Sequence, residues 1–319
     1  MNADHTAAVI AACQLPDGAI PWTPGGITDP WNHIEAAMGL DAADRHAEAE
    51  AAYDWLAARQ NPDGSWYAEY REGLVADLAK DTNFTAYIAV GVLHHALSTH
   101  DSAFLERLWP AVSAAMEFVL RVRRPDRTVP WRLRADGTTT PETLVPGNCS
   151  VQHALRCAVR IADLLGLHRP EWTLAAKCLR EAIASRAADF TPKPHAMDWY
   201  YPVLTGVLAA DHLDGDWNRF VVPGLGVRCV HHEPWVTGGE TAELAIALAV
   251  RGDRRADELL ADLESLRHHD GSYWTGYQFR DQEFWPHGER TTWTAGAVLL
   301  AHAATAGDQS TVEVFAPQA

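Results

Sequence analysis

A turn followed by tryptophan recurs along the chain, and this repeat constrains the fold more than any other feature. It reads Leu15-Pro-Asp-Gly-Ala-Ile-Pro-Trp22, Asn61-Pro-Asp-Gly-Ser-Trp66, Arg124-Pro-Asp-Arg-Thr-Val-Pro-Trp131 and His269-Asp-Gly-Ser-Tyr-Trp274. Two more divergent loops end at Asp198-Trp199 and Pro234-Trp235. Self-similarity at such spacing marks copies of one supersecondary unit that bury their apolar faces against each other. Between the loops, Ala, Leu and Val recur at i, i+3, i+4, while alternating strand-like segments are nearly absent. Helices are therefore predicted at 3–14, 30–41, 46–60, 81–99, 102–123, 148–166, 170–187, 196–210, 214–221, 237–251, 253–267 and 291–306, with 214–221 the weakest.

Short connections inside pairs of helices and long connections between pairs imply six helical hairpins in a ring, an all-α (α/α)6 toroid, with the first helix closing against the last. At about 50 residues per hairpin the whole chain, 1–319, is accounted for as one domain. Inner and outer helices then alternate, so every long loop enters an inner helix at the same mouth of the barrel. The residues converging there are Asp29, Trp31, Asn32 and His33, with Glu35 one turn on; Asp81 and Asn83; Asn148; Asp198, Trp199 and Tyr200; Glu240; and Glu289, Arg290 and Trp293. Much of an excess of 13 Trp falls at this rim.

Composition narrows the partners. Lys+Arg 26 against Asp+Glu 42 gives a net charge of -16, which repels phosphate backbones and anionic lipid, so no nucleic acid or membrane partner is expected. The five cysteines lack CxxC spacing and read as reduced thiols, and the N-terminus carries no export signal, so a cytoplasmic protein is expected. No phosphate-binding glycine loop or dinucleotide fingerprint is present, and no cofactor is expected. The histidine doublets His94-His95, His231-His232 and His268-His269 place neighbours about 100° apart on a helix, so no metal site is expected either.

The segments QNPDGSWYAEYREG, DTNFTAYIAVGVLHHALSTHDSAFLERLWPAVSAAMEFVL and EWTLAAKCLREAI resemble the second and third hairpins of glucoamylase-type enzymes in the six-hairpin glycosidase-like superfamily, and ERTTWTAGAVLLA resembles its last inner helix. The resemblance implies the toroid and a carbohydrate-active, glycoside hydrolase-like enzyme. The turn-Trp motifs are also similar to those of squalene cyclases and prenyltransferase-type toroids, so they identify the architecture better than the chemistry. Where the glucoamylase pattern has Arg and Asp opening its first inner helix, this chain has Trp31 and Asn32. The third loop offers only Asp136 and Glu142 for the family's general acid, and Ala297 stands at the position of its general base. Any acid/base pair must come from elsewhere.

An inverting glycosidase needs two carboxyls about 6.5–9.5 Å apart, one protonated and one ionised. The candidates are Glu240, Asp198 and Glu289, with Asp81 near them. Asp81 and Asp198 also stand where helix N-caps are expected, and Glu289 stands beside a possible partner, Arg290. A sugar platform is expected from Trp31, Asn32, His33, Glu35, Trp66, Asp81, Asn83, Trp131, Trp199, Tyr200, Trp235, Trp274, Arg290 and Trp293, because flat rings cover apolar sugar faces while polar groups bond the hydroxyls. Equally, His33 reads as a helix-packed histidine, and each loop Trp as a plug between hairpins. A terpene cyclase or prenyltransferase-like enzyme on an isoprenoid, and a non-catalytic sugar-binding protein, remain alternatives. A deep aromatic cavity around a single Asp would favour the isoprenoid.

Overall fold

The computed structural model describes residues 2–185 and 189–317. Its helices are α1 (Ala3–Cys13), α2 (Pro30–Asp41), α3 (His46–Arg59), α4 (Thr82–Ala86), α5 (Ile88–Thr99), α6 (Ser102–Arg121), α7 (Val145–Leu164), α8 (Pro170–Ser185), α9 (Ala196–Leu204), α10 (Trp217–Phe220), α11 (Gly238–Ala249), α12 (Arg255–Leu263), α13 (Thr292–Ala306) and α14 (Gln309–Phe315). The inner ring runs α2, α5, α7, α9, α11, α13 and back to α2, each packed on the next. Outside it, α3 and α6 flank α5, α8 backs α7, α12 backs α11, and α1 closes against α13. This is the (α/α)6 toroid.

Inner helices are buried nearly all round: α2 exposes little beyond Asn32, and the buried face of α11 runs from Gly238 to Leu248. Outer helices are amphipathic, with α6 burying Phe104, Leu105, Leu108, Val112, Met116 and Val119 along one stripe. Asp29 caps α2 by accepting from the Asn32 amide at 3.0 Å, and Asp101 caps α6 by accepting from Ala103 and Phe104.

The repeated turns fasten the hairpins together. In the second loop the Asp63 side chain accepts from the Ser65 amide at 3.1 Å, and Gln60 donates to the Gly64 and Ala111 carbonyls. Gly64 has φ of +90° and an added Cβ would lie 2.1 Å from the Ala114 carbonyl oxygen on α6, so both the turn and its contact with the neighbouring outer helix need glycine. The first loop repeats the device: Gln14 donates to the Gly18 and Glu48 carbonyls. Trp66 then drives inward and donates to the Leu56 carbonyl at 2.8 Å. It is a plug between hairpins, so this copy of the repeat is architectural.

Several expectations need correcting. The helix expected at 214–221 is only a 3-10 turn at Ala210–Leu213 and the single turn α10. The helix expected at 81–99 breaks at Tyr87, and α7 starts at Val145, ahead of the expected 148, with Pro146 in its first turn. Of the helix expected at 170–187, the last two residues lie outside the described ones. The long loops carry short antiparallel strands: 27–28, 69–71 and 74–77 form one sheet, and 283–284, 276–278, 235–237, 226–228 and 221–222, in that order, another. Strands of two to four residues are too short to show a period of two. The helix α14 lies beyond the last element that the periodicity predicts. It packs against α5 and α13, buries Val314 and Phe315, and caps the end of the ring opposite the loops. No helix among the described residues is long and apolar enough to cross a membrane.

Candidate active site

The mouth of the ring holds a cavity of about 260 Å³ lined by Trp31, Asn32, Glu35, Asn83, Phe84, Trp131, Leu144, Pro146, Gly147, Met197, Glu240, Glu243 and Trp293. Every inner hairpin contributes, as a toroid with all long loops on one face requires. Trp31 and Glu35 stand one helical turn apart on α2, and Glu240 and Glu243 share a face of α11.

Three carboxyls thus meet in one pocket. Glu35 is buried, and its pKa is raised well above the ordinary value, first by burial and then by the charge of Glu243. Glu243 is pushed up to about 8 by burial, partly offset by hydrogen bonds from tyrosines. Tyr200 donates to its Oε2, and Tyr201 to its Oε1 at 3.2 Å. Glu240 is more exposed and accepts from the Thr237 hydroxyl just before α11. Among the described residues no Lys or Arg lines the cavity. Burial therefore dominates at the two buried acids, and Glu35 and Glu243 hold protons at higher pH than isolated acids do.

The walls are held from behind. Trp31 stacks on Tyr87 with ring centroids 4.3 Å apart. Asp29 accepts from the Asn32 side-chain amide at 2.8 Å and from the Trp22 indole, which orients Asn32 with its carbonyl oxygen free. Burial raises Asp29 to about 6, against the hydrogen bonds it accepts. Trp293 stands against Gly239, where an added Cβ would fall 2.2 Å from its Cζ3. Gly239, just before Glu240, thus admits this indole, while its neighbour Gly238 packs on Thr294.

Of the expected site residues, Trp31, Asn32, Glu35, Asn83, Trp131, Glu240 and Trp293 line the cavity. Tyr200 reaches it only through Glu243. Asp81 sits behind the wall, 2.7 Å from Arg132 Nε and accepting from the Trp131 indole at 3.2 Å, so it fastens Trp131; burial raises its pKa despite Arg132. The others fall elsewhere. Asp198 turns outward, accepts from the Lys193 amide at 2.9 Å and opens on a separate cleft beside Val145, Phe190 and Pro202. Glu289 accepts from the Thr275 hydroxyl at 2.9 Å rather than pairing with Arg290, which instead binds Asp270 and Ser272 and lies over Trp274. His33 is wholly buried, accepting from the Ile20 amide on Nδ1 and placing Nε2 2.9 Å from the Ala52 carbonyl; burial lowers it to about 4. Trp199 stacks on Phe220, and Trp235 lines an outer cleft with Gln278 and Trp285. Trp66 and Trp199 are packing residues, and Trp235 faces that outer cleft.

Sequence reading missed Glu243, although its i+3 spacing from Glu240 puts it on the same face. Phe84, Leu144, Pro146 and Met197 carry no sequence signal beyond their nearness to inner-helix starts. A larger groove, about 540 Å³, lies outside between α7 and α8; among the described residues its one carboxylate, Glu181, is exposed, and its other charged groups are the basic Arg156, Lys177 and Arg180, so it offers no pair of acids. The mouth lining, with three carboxyls and two amides, also differs from the apolar cavity around one Asp that an isoprenoid would need.

No family model matches the chain. Solved structures of similar architecture include a glycosidase variant in complex with glucose, at TM-score 0.75 and 17% identity over 95% of this chain and 96% of that one. A D-mannose isomerase aligns at TM-score 0.74 and 12% identity over 96% of each chain. The GH63 mannosylglycerate hydrolase from Thermus thermophilus aligns at TM-score 0.69 and 14% identity over 93% of this chain and 98% of that one. In sequence, the chain is 47% identical over 303 residues to the MMP endo-(1,4)-3-O-methyl-alpha-D-mannosidase of Mycolicibacterium hassiacum, covering 93% of this chain and 84% of that protein. The chain belongs to the family of that mannosidase, among the six-hairpin glycosidases, and is a glycoside hydrolase-like enzyme acting on sugars.

Proposed function

We propose that the enzyme hydrolyses internal α-mannosidic linkages in a mannoside carrying methyl ethers, with Glu240 and Glu35 as the acid/base pair. The observation that carries this is the convergence of Glu35, Glu240 and Glu243 in a cavity walled on its other sides by Trp31, Phe84, Trp131, Leu144, Pro146 and Met197. Carboxyls and the Asn32 and Asn83 amides suit hydroxyls, and the apolar wall suits a methylated sugar edge. The relative's name supplies the linkage.

The roles follow from environment. Glu35, buried and next to another carboxyl, retains its proton and serves as the general acid that protonates the leaving oxygen. Glu240, the more open of the three and braced by Thr237, serves as the carboxylate partner. Glu243, pinned by two tyrosines, lies beside Glu35, so ionisation of either carboxyl opposes that of the other. This reading keeps Glu240 and replaces Asp198 and Glu289, in line with their positions away from the cavity. The five free thiols are compatible with a cytoplasmic enzyme.

The test is digestion of α-(1,4)-linked mannose oligosaccharides, with and without 3-O-methyl groups, with products sized by mass spectrometry. Shortened internal fragments from the methylated substrate are expected, and E240Q should lower kcat by roughly 10²–10⁴-fold. Conversion of free mannose to its ketose isomer, or full activity in E240Q, would overturn the assignment.

A further inference from the structure

The far end of the ring holds a second convergence of side chains, which the chemistry at the mouth does not use. α2 ends at Asp41, α3 begins at His46, and the C-terminal half of α5 brings in His94 and His95. The side chains of Asp41 and His94 are fully buried, His95 is 2% exposed, and only His46 reaches solvent, at 35%. His46 Nδ1 lies 3.0 Å and His95 Nδ1 2.9 Å from the same oxygen, Asp41 Oδ1. One ligand atom from each of these three residues lies within 4.8 Å of the other two. Behind them, Thr311 of α14 holds His94 by Nε2 at 3.1 Å. That leaves His94 Nδ1 facing Asp41 Oδ2 across 3.9 Å without a hydrogen-bond partner.

We propose that Asp41, His46 and His95 form a site for one divalent transition-metal ion of zinc type, with His94 as a fourth donor. Zinc bonds of about 2.0–2.1 Å in tetrahedral array place ligand atoms about 3.3 Å apart, so His46 Nδ1 and His95 Nδ1 move only a few tenths of an ångström from Asp41 Oδ1, while the two rings close toward each other from a separation within 4.8 Å. Imidazole with a single carboxylate selects zinc, cobalt or nickel over magnesium and calcium, which take oxygen shells. The surrounding shell is in place: His95 packs on Phe104, with centroids 4.1 Å apart, and edge-on to Tyr53, and Thr311 orients His94. The adjacency of His94 and His95, which argued against a metal in sequence, does not exclude one, because Asp41 stands within reach of both rings. Such an ion would tie the α2–α3 turn to α5 and, through Thr311, to α14. Its effect is on the closed end of the barrel.

The test uses the full chain without an affinity tag, stripped with a chelator and titrated with zinc, cobalt or magnesium chloride. Expected are one equivalent of zinc retained through gel filtration, a visible d–d band in the cobalt form, and a thermal midpoint raised by zinc but not magnesium. H46Q alters the one ligand at the solvent edge, so the fold is kept, and zinc affinity should fall by at least the roughly 10–100-fold that loss of an outer-shell partner costs. H232Q, at an exposed histidine elsewhere, should leave it unchanged. Zinc well below one equivalent, or one equivalent undiminished by H46Q, would overturn the site and show that protons alone fill the cluster. Metal content is the readout, so the result is independent of the activity assigned to Glu240.

Discussion

One helix, α2, carries a buried carboxyl toward each end of the barrel, and the two are driven in opposite directions. Glu35, at the mouth, faces Glu243 and, among the described residues, no cation; burial raises its pKa. Asp41, six residues on and roughly 9 Å along the axis, is equally buried, but hydrogen bonds from His46 and His95, with His94 close by, outweigh burial and hold it well below the usual carboxylate range. The residue type and helix are alike, so the partners decide. Acids left unpaired inside a protein cost stability and supply proton chemistry, whereas an acid surrounded by imidazoles anchors structure. The open end of this toroid is built on the first plan and the closed end on the second.

The largest expected effect breaks that contrast directly. D41N removes the charge three histidines surround and should cost about 3 kcal/mol, a fall in thermal midpoint of roughly 5 °C for a chain of this size. E243Q should do the reverse with rising pH. The Glu243 carboxyl keeps its proton to about pH 8 in the folded protein and loses it near its ordinary 4.5 when unfolded. The stability gained by burying the neutral acid is thus fully present below pH 4.5 and lost as pH rises to about 8. The amide does not titrate, so E243Q should gain thermal stability relative to the parent across that window. Parallel midpoints for the two proteins from pH 4.5 to 8 would show that Glu243 is not held protonated.

This contrast also marks where sequence reading succeeds and stops. The ring was legible because helical periodicity and the turn-Trp repeat are local signals, and most of the expected helices recur with small boundary shifts. The cavity was half legible: residues at inner-helix starts, such as Trp31, Asn83 and Trp293, follow from topology alone. Which loop tryptophans line it was not, since Trp66 and Trp199 turn into hairpin seams by packing that no local pattern records. Asp198 and Glu289 were misplaced because position in the chain gives the rim but not the direction of a side chain. The Asp41 cluster escaped because its members lie on three helices.

A smaller effect probes the wall of the mouth. In G239A the new methyl would meet the Trp293 ring, which is half-buried against α11 and cannot yield without leaving the cavity wall. Overpacking of this kind costs about 1–3 kcal/mol. If Trp293 is a sugar platform, KM for an oligosaccharide should rise more than kcat falls. A loss of stability with KM unchanged would assign the indole to packing alone.

The smallest effect is expected at Arg290, where sequence position and structure disagree most plainly. It stands at the start of the last inner helix, as a sugar-gripping arginine would. Its guanidinium is turned away, to Asp270, Ser272 and the face of Trp274, with nearly a third of the side chain exposed. An exposed pair of this kind is worth about 0.2–1 kcal/mol, screened by salt. R290A should therefore lower the thermal midpoint by no more than roughly 1–2 °C, less in high salt, with kcat/KM within about twofold of the parent. A tenfold loss of kcat/KM would mean that the last loop turns over on binding substrate. The boundary drawn between cavity wall and rim would then move outward by one residue.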